Sequence, residues 1–296
     1  MSWITGLDAG TVAAVRHVAD TAESIDGVAP LSGHLLEALG TGQDDYILAS
    51  VGPRIIGVAV SHHDDPIEFV VAPEHRREGL GTELLHTALA RTGAVWAHGD
   101  LPAARSLADK AGLVRTRELL QMRRPLTREW AAEQVAAAVV ADGVRLRTFV
   151  PGQDEEAFLG VNARAFEWHP EQGRLDLSAL RAEMDQPWFD PAGFFLAVDT
   201  RDDTVLGFHW TKVHADVPEA LGEVYVLGVD PLATIGGAPV RGLGSPLLAV
   251  GLDHLAALGL GTVLLYVEGD NERALRLYRR LGFETFAIDV VYGRPN

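Results

Sequence analysis

Cysteine is absent from the 296-residue chain, which excludes a disulfide framework, a thiolate metal site and a cysteine nucleophile. Long apolar runs are absent too. The longest unbroken one, Val135 to Ala141, falls far short of the roughly 18 residues that cross a bilayer, and the opening Met1-Ser2-Trp3-Ile4-Thr5 has no basic secretory segment. Positive charge is scarce: 25 Lys and Arg against 41 Asp and Glu leave a balance of −16, a poor match to nucleic-acid phosphates or anionic membranes. The 11 histidines contain no H-x-x-x-H pair, so no metal is expected. His62-His63, His209 and His214 read as structural, and Trp168, Trp188 and Trp210 as core or cleft walls. The expectation is a cytoplasmic monomer with a small-molecule substrate and no nucleic-acid or membrane partner. What is present, 47% hydrophobic and 22% charged residues with 31 Gly and 15 Pro, is the composition of a globular chain at about twice a single-domain length.

The chain repeats itself. Residues 69–90 and 226–258 share one order: a β-branched run, a Pro, a Gly-x-Gly and an Ala/Leu helix pattern. Downstream, Asp100-Leu101-Pro102 to Ala111-Gly112-Leu113 matches Asp270-Asn271-Glu272 to Leu281-Gly282-Phe283 without a gap, at a constant offset of 282 − 112 = 170. Strands are expected at Tyr46–Ser50, Ile55–Val60, Ile67–Val71 and Leu119–Arg123, then at Arg145–Val150, Phe194–Val198, Val205–Val213, Val224–Val229, Val263–Val267 and Phe286–Val291. Helices are expected at Asp154–Phe166, Gly242–Leu258 and Glu272–Leu281. Long helices interleaved with β-branched runs imply an α/β layer fold, a mixed central sheet flanked by helices in each copy. The expected division is 1–125, an Ala-rich and partly helical linker at 126–143, and 144–296.

Arg76-Arg77-Glu78-Gly79-Leu80-Gly81 lies between an expected strand and an expected helix, where exposed amides and the positive helix end can hold a phosphate. Two arginines there add charge-assisted bonds to a diphosphate. For a lone R-x-x-G-x-G an ordinary turn is the better reading by about three to one; the duplication reverses those odds.

With these motifs the chain resembles the GNAT family of acetyl-CoA-dependent N-acetyltransferases, present as two tandem copies. The family signature is Q/R-x-x-G-x-G/A after the fourth strand, an Asn-initiated helix, and a Leu-Gly-Phe turn. The first copy supplies Arg76 to Gly81; the second supplies Gly242-Leu243-Gly244, Asn271 and Leu281-Gly282-Phe283. The resemblance implies that acetyl-CoA, with no metal, binds along Phe69, Val70, Val71, Arg77, Glu78, Gly79, Leu80, Gly81 and Thr82 in the first copy. In the second it implies Leu227, Gly228, Val229, Arg241, Gly242, Leu243, Gly244 and Ser245, then Asn271, Glu272, Arg273, Ala274, Leu275 and Arg276. The second copy departs from the pattern. Pro231 to Gly242 spans 242 − 231 = 11 positions against 79 − 73 = 6 from Pro73 to Gly79, and Pro239 stands where Gln or Arg belongs.

Amide formation from a thioester needs a neutral amine and a proton for the departing thiolate. Tyr278 aligns with Ala108 and Asn271 with Leu101 at the offset of 170, so only the second copy carries a phenol there. Tyr278 is expected as the acid, the alternative being a packing tyrosine; Asn271 is a cofactor contact or only a helix cap. Glu223, at the start of its strand, is expected to take the ammonium proton, against the alternative of an exposed strand-end carboxylate. A closer resemblance, to a branch of the same family, is carried by 169–173, 207–214, 222–231, 265–271, 96–99 and 121–126. It implies that the acceptor is the cysteinyl amine of cysteinyl-glucosaminyl-inositol, bound by Glu171, Lys212, Glu223 and Tyr266. An aminoglycoside or protein N-terminus as acceptor, or a silent acetyl-CoA-binding regulator, are the competing readings.

Overall fold

Runs of apolar and β-branched residues build the sheets of this chain, and Asp, Thr and Gly fix where its helices begin and end. The computed structural model describes residues 1–63, 65–167, 172–215 and 219–295. The chain divides into two units: Met1–Leu120 with Glu268–Glu272 and Phe286–Asn296, and Gln121–Val267 with Arg273–Thr285. Among the described residues no helix is long and apolar enough to cross a membrane.

In the first unit β1 (Ile4–Thr5), β2 (Asp45–Val51), β3 (Arg54–Ser61) and β4 (Glu68–Val71) form an antiparallel sheet in that order. Asp8 accepts from the Thr11 amide at 2.7 Å and so opens α1 (Ala9–Asp26), which Gly27 ends at φ 72°. The short α2 (Gly33–Ala38) follows. Strand period two sends Tyr46, Val58, Val60 and Val70 to the face covered by Val15, Val18 and Ala22 of α1. Ile47, Ala59 and Ile67 go to the opposite face, against Leu84, Leu85 and Ala88 of α3 (Leu80–Arg91). Each Val, Leu or Ile side chain among them stabilises the fold by about 1.5–3 kcal/mol when fully buried. Beyond α3 come β5 (Ala94–Ala97), α4 (Pro102–Lys110) and β6 (Val114–Pro125), the last of which belongs to this unit as far as Leu120.

The second unit contains α5 (Arg128–Ala137), β7 (Val144–Thr148), α6 (Glu155–Ala165), α7 (Leu177–Met184), β8 (Phe194–Asp199), β9 (Val205–His214) and β10 (Leu221–Val229). After a small hairpin of β11 (Thr234–Ile235) and β12 (Ala238–Pro239) come α8 (Gly244–Ala257), β13 (Thr262–Glu268), α9 (Glu272–Arg280) and β14 (Glu284–Gly293). Strands β7, β8, β9 and β10 pair antiparallel in sequence order, and β10 then pairs parallel with β13. Phe149, Phe158, Phe194, Phe208 and Trp210 fill one face; Phe194 stacks on Trp210 at 4.7 Å. Helix α5 lies inside the expected linker and packs on α8.

Every strand and helix expected from the sequence is present, most ends agreeing within two residues. Leu119–Arg123 and Val224–Val229 are the exceptions, starting earlier at Val114 and Leu221. The last strand has a destination that local pattern does not reveal. From Phe286 onward β14 belongs to the first unit, antiparallel to β5, with Val290 opposite Ala97 and Tyr292 opposite Val95. The duplication extends to individual hydrogen bonds. Leu113 N donates to Ala108 O at 3.0 Å and Phe283 N to Tyr278 O at 3.0 Å, and the turn glycines Gly112 and Gly282 take φ 68° and 80°.

Candidate functional site

A left-handed glycine precedes the Gly-x-Gly helix in both units. Gly79 (φ 94°) leads into α3. The Thr82 and Glu83 amides bond back to Gly79 O, while those of Leu80 and Gly81 have no acceptor within the helix. A Cβ at Gly79 would meet nothing within 4 Å, so this turn is open on its outer side. Arg77, also left-handed at φ 67°, is exposed beside Glu78. Arg76, expected to share the diphosphate, has another job: its fork bonds both Asp26 oxygens at 2.8 and 2.7 Å, and its Nε donates to Val71 O at 3.2 Å. Its donors are spent on the end of α1 and the end of β4, which leaves the exposed Arg77 as the loop's available cation.

In the second unit the five extra residues are absorbed by the β11–β12 hairpin. Thr234 pairs with Pro239 and Ile235 with Ala238, around Gly236 and Gly237 at φ 58° and 82°, the two-residue turn that left-handed glycines favour. Pro239 therefore sits in the hairpin. Exposed Arg241 follows it, then Gly242 (φ 81°) and Gly244, where an added Cβ would again meet nothing within 4 Å. Leu243 is buried as an anchor and Ser245 is exposed. Pro246 brings no N–H, so this helix end offers fewer donors than the first.

Both units also open a strand edge before the turn. β10 pairs with β13 only at Gly222–Val263, Glu223–Leu264 and Val224–Leu265, and a register shift between Val224 and Val226 bends it away. Leu227, Gly228 and Val229 continue along β9 alone among the described residues. In the first unit Ile67 bridges Val95, after which Phe69, Val70 and Val71 pair with β3 alone among the described residues.

Glu223 lies at the fork of the second splay. It is the third residue of β10 and only 5% exposed, so it is a buried carboxylate and not an exposed strand end. Its Oε2 is 2.6 Å from His214 Nε2. Lys212 is directly opposite on β9, yet its Nζ rides over the Trp188 and Tyr225 rings, 4.4 and 5.1 Å from their centroids. Tyr225 donates to Glu183 Oε2 at 3.0 Å. Burial pushes the Glu183 carboxyl up, against the opposing pull of the Tyr225 bond and the Lys212 charge. Trp210, fully buried, backs the Trp188 and Tyr225 rings at 5.6 and 5.4 Å. Tyr266 is two residues past Leu264 on β13, hence on the face of Glu223. It is 44% exposed and accepts from Gln121 Nε2 at 2.6 Å.

Tyr278 is buried on α9, its ring edge-on to Phe283 at 5.7 Å; burial pushes its hydroxyl up to about 12, so it stays a neutral phenol at physiological pH. Asn271 N donates to Glu268 O at 3.0 Å and Glu272 N to Asp270 O at 2.8 Å. On α9, Arg273 and Arg276 are exposed, Ala274 is half-buried and Leu275 faces the core. Glu171 lies outside the described residues. The structure thus gathers Glu223 and Lys212 at one strand pair, with Tyr266 on the same face. It adds Glu183 and Tyr225, which the sequence did not assign, and His214, which read as structural; Trp188 stands there as one of the expected core or cleft walls. His214 had a local signal, being two residues from Lys212 on one strand; Glu183, on a separate helix, had none. Among the described residues no group of three His, Asp or Glu is placed to hold a metal ion.

A model described as the acetyltransferase (GNAT) family matches residues 18–112 and 161–283. A mycothiol acetyltransferase of Nocardia farcinica is 47% identical over 303 residues, covering 98% of this chain and 96% of that protein. One from a Parafrankia species is 43% identical over 323 residues, covering 100% and 98%. Among solved structures, a GCN5-related N-acetyltransferase from Sphaerobacter thermophilus superposes with a TM-score of 0.68 at 22% identity, over 99% of this chain and 96% of that one. A tandem GNAT protein from the clavulanic acid pathway gives 0.67 at 17%, over 98% and 97%.

Proposed function

Because the chain belongs to the GNAT acetyltransferase family, we propose that its second unit acetylates the cysteinyl amine of cysteinyl-glucosaminyl-inositol, the step that yields mycothiol. The full-length relatives carry the name mycothiol acetyltransferase. The observation that carries the reading is a buried carboxylate, Glu223, at the fork where β10 leaves β13.

The residues present fit acetyl-CoA. Gly242 and Gly244 leave an unobstructed turn at the positive end of α8 for a diphosphate, with Arg241 as its cation, Leu243 as the turn's buried anchor and Ser245 as a further donor. Leu227, Gly228 and Val229 offer a strand edge to the pantetheine amides, and Asn271 to Arg276 complete the contacts that the family resemblance implies. Acetyl-CoA supplies the acetyl group as an activated thioester. Glu223 takes a proton from the acceptor ammonium, a modest task because a free α-amine titrates near 8. Tyr278, neutral throughout the physiological range, holds the proton that the leaving thiolate needs. Lys212, Tyr266 and Glu171 bind acceptor hydroxyls, and the chain acts as a cytoplasmic monomer. The first unit binds a second acetyl-CoA through Phe69 to Val71 and Arg77 to Thr82 without turning it over, since Ala108 replaces the phenol.

The test is incubation of the full chain with acetyl-CoA and a panel of amines, read by product mass. Acetylation of the pseudodisaccharide in preference to aminoglycosides and N-terminal peptides is expected. Preference for either of the others overturns the substrate, and an unmodified panel overturns the enzyme.

A further inference from the structure

We propose that His214 is a positioning residue for the acceptor's base: it holds the Glu223 carboxylate by one oxygen so that the other is presented to the amine. This role rests on the acetyl-transfer reading above. Glu223 and Lys212 are direct cross-strand partners, and a lysine that paired with the carboxylate would weaken it as a base. The fold prevents that pairing. The Lys212 ammonium is drawn onto the faces of Trp188 and Tyr225, with Glu183, bonded by Tyr225, as the nearby negative charge. Glu223 is left to the diagonal neighbour His214, two residues along β9 and on the same face. An ionised carboxylate only accepts hydrogen bonds, so the His214 Nε2 at 2.6 Å is the donor and Glu223 Oε2 the acceptor. Glu223 Oε1 is then the atom to which the ammonium passes its proton: one N–H bond breaks, one O–H bond forms, and the freed electron pair stays on nitrogen. His214 is part-exposed, with a side-chain exposure of 33% against 7% for Glu223, so it bridges the buried base to the rim of the fork.

The test uses the full chain, acetyl-CoA and cysteinyl-glucosaminyl-inositol. His214→Leu is expected to lower kcat about tenfold or more while leaving the acetyl-CoA KM within about twofold. His214→Gln, which keeps an N–H donor near the Nε2 position, is expected to recover most of that loss. Adding His214→Leu to Glu223→Gln is expected to slow the enzyme no further than Glu223→Gln alone, because the two act as one unit. The role is overturned if His214→Leu keeps the wild-type kcat, if His214→Gln falls as far as His214→Leu, or if the losses multiply in the double variant. A wild-type chain that does not acetylate this amine instead overturns the functional reading and this role with it.

Discussion

The corner where the β4 and β10 strands splay is built alike in the two units, and its side chains are used differently. In the second unit it holds a buried carboxylate whose partner is a part-exposed histidine. In the first unit His98, at the offset position of Glu268, lies 3.0 Å from Glu68 and 3.6 Å from Asp289. Asp289 also accepts from the Gly99 amide at 2.7 Å, and Asp100 accepts from Tyr292 at 2.7 Å and is paired with Arg105 and Arg115. Asp289 and Tyr292 are on β14. The charges of this first corner therefore hold the chain's last strand in place, and they close the fork with an internal ion pair. A duplicated backbone keeps its turns because a left-handed glycine turn depends only on local chain geometry; the chemistry at the fork depends on a few side chains that are free to change task.

The largest expected effect separates the forks directly. Glu223→Gln should lower turnover about a hundredfold near neutral pH and recover part of it under alkaline conditions, where free amine is plentiful; an unchanged rate at pH 7 would place the base elsewhere. Tyr278→Phe should lower kcat about tenfold with the acetyl-CoA KM nearly constant. Normal turnover would return the phenol to a packing role and erase its contrast with Ala108. Calorimetry of the full chain should then show two acetyl-CoA sites, one lost in Arg77→Ala. One site in both proteins would mean that the first turn is structural. The full chain is required because a fragment ending at residue 125 lacks β14.

The smallest effect is one of stability, and its sign differs between the units. His209 is fully buried on β9, with its Nδ1 bonded to Leu247 O at 2.9 Å; burial lowers it to about 4. A folded-state value below the unfolded one near 6.5 contributes stability that is present above about 6.5 and lost as pH falls toward 4. For His98, burial acts downward, but the bonds and charges of Asp289 and Glu68 overcome it and raise the ring to about 10. Its contribution is complete below about 6.5 and is lost as pH rises toward 10. Hydrogen exchange should therefore show β9 loosening in acid and β5 loosening in alkali, each by at most a few kcal/mol. The same response in both strands would refute the contrast.

The elements legible in the sequence are those whose cause is local. The apolar, β-branched character of Val205–Val213 and Val263–Val267 is a property of neighbouring residues, as is the Gly79 or Gly242 turn, and the offset of 170 can be counted directly. Glu223, Lys212 and Tyr278 were legible as candidates because the family resemblance singled out their motifs. Arg76 was misread because Asp26, fifty residues away, takes its fork, and Pro239 could not be placed without the β11–β12 pairing.

Sequence alone thus determined the two copies, their strands, helices and glycine turns, and which copy retains the phenol. Tertiary structure alone decided that β14 completes the first unit, that Lys212 turns to aromatic rings, and that Glu223 is buried against His214. The physical reason is reach. Period and φ are set within a few residues, whereas a charge chooses among partners that folding brings close, and that choice depends on which competitor burial and ring faces have already engaged.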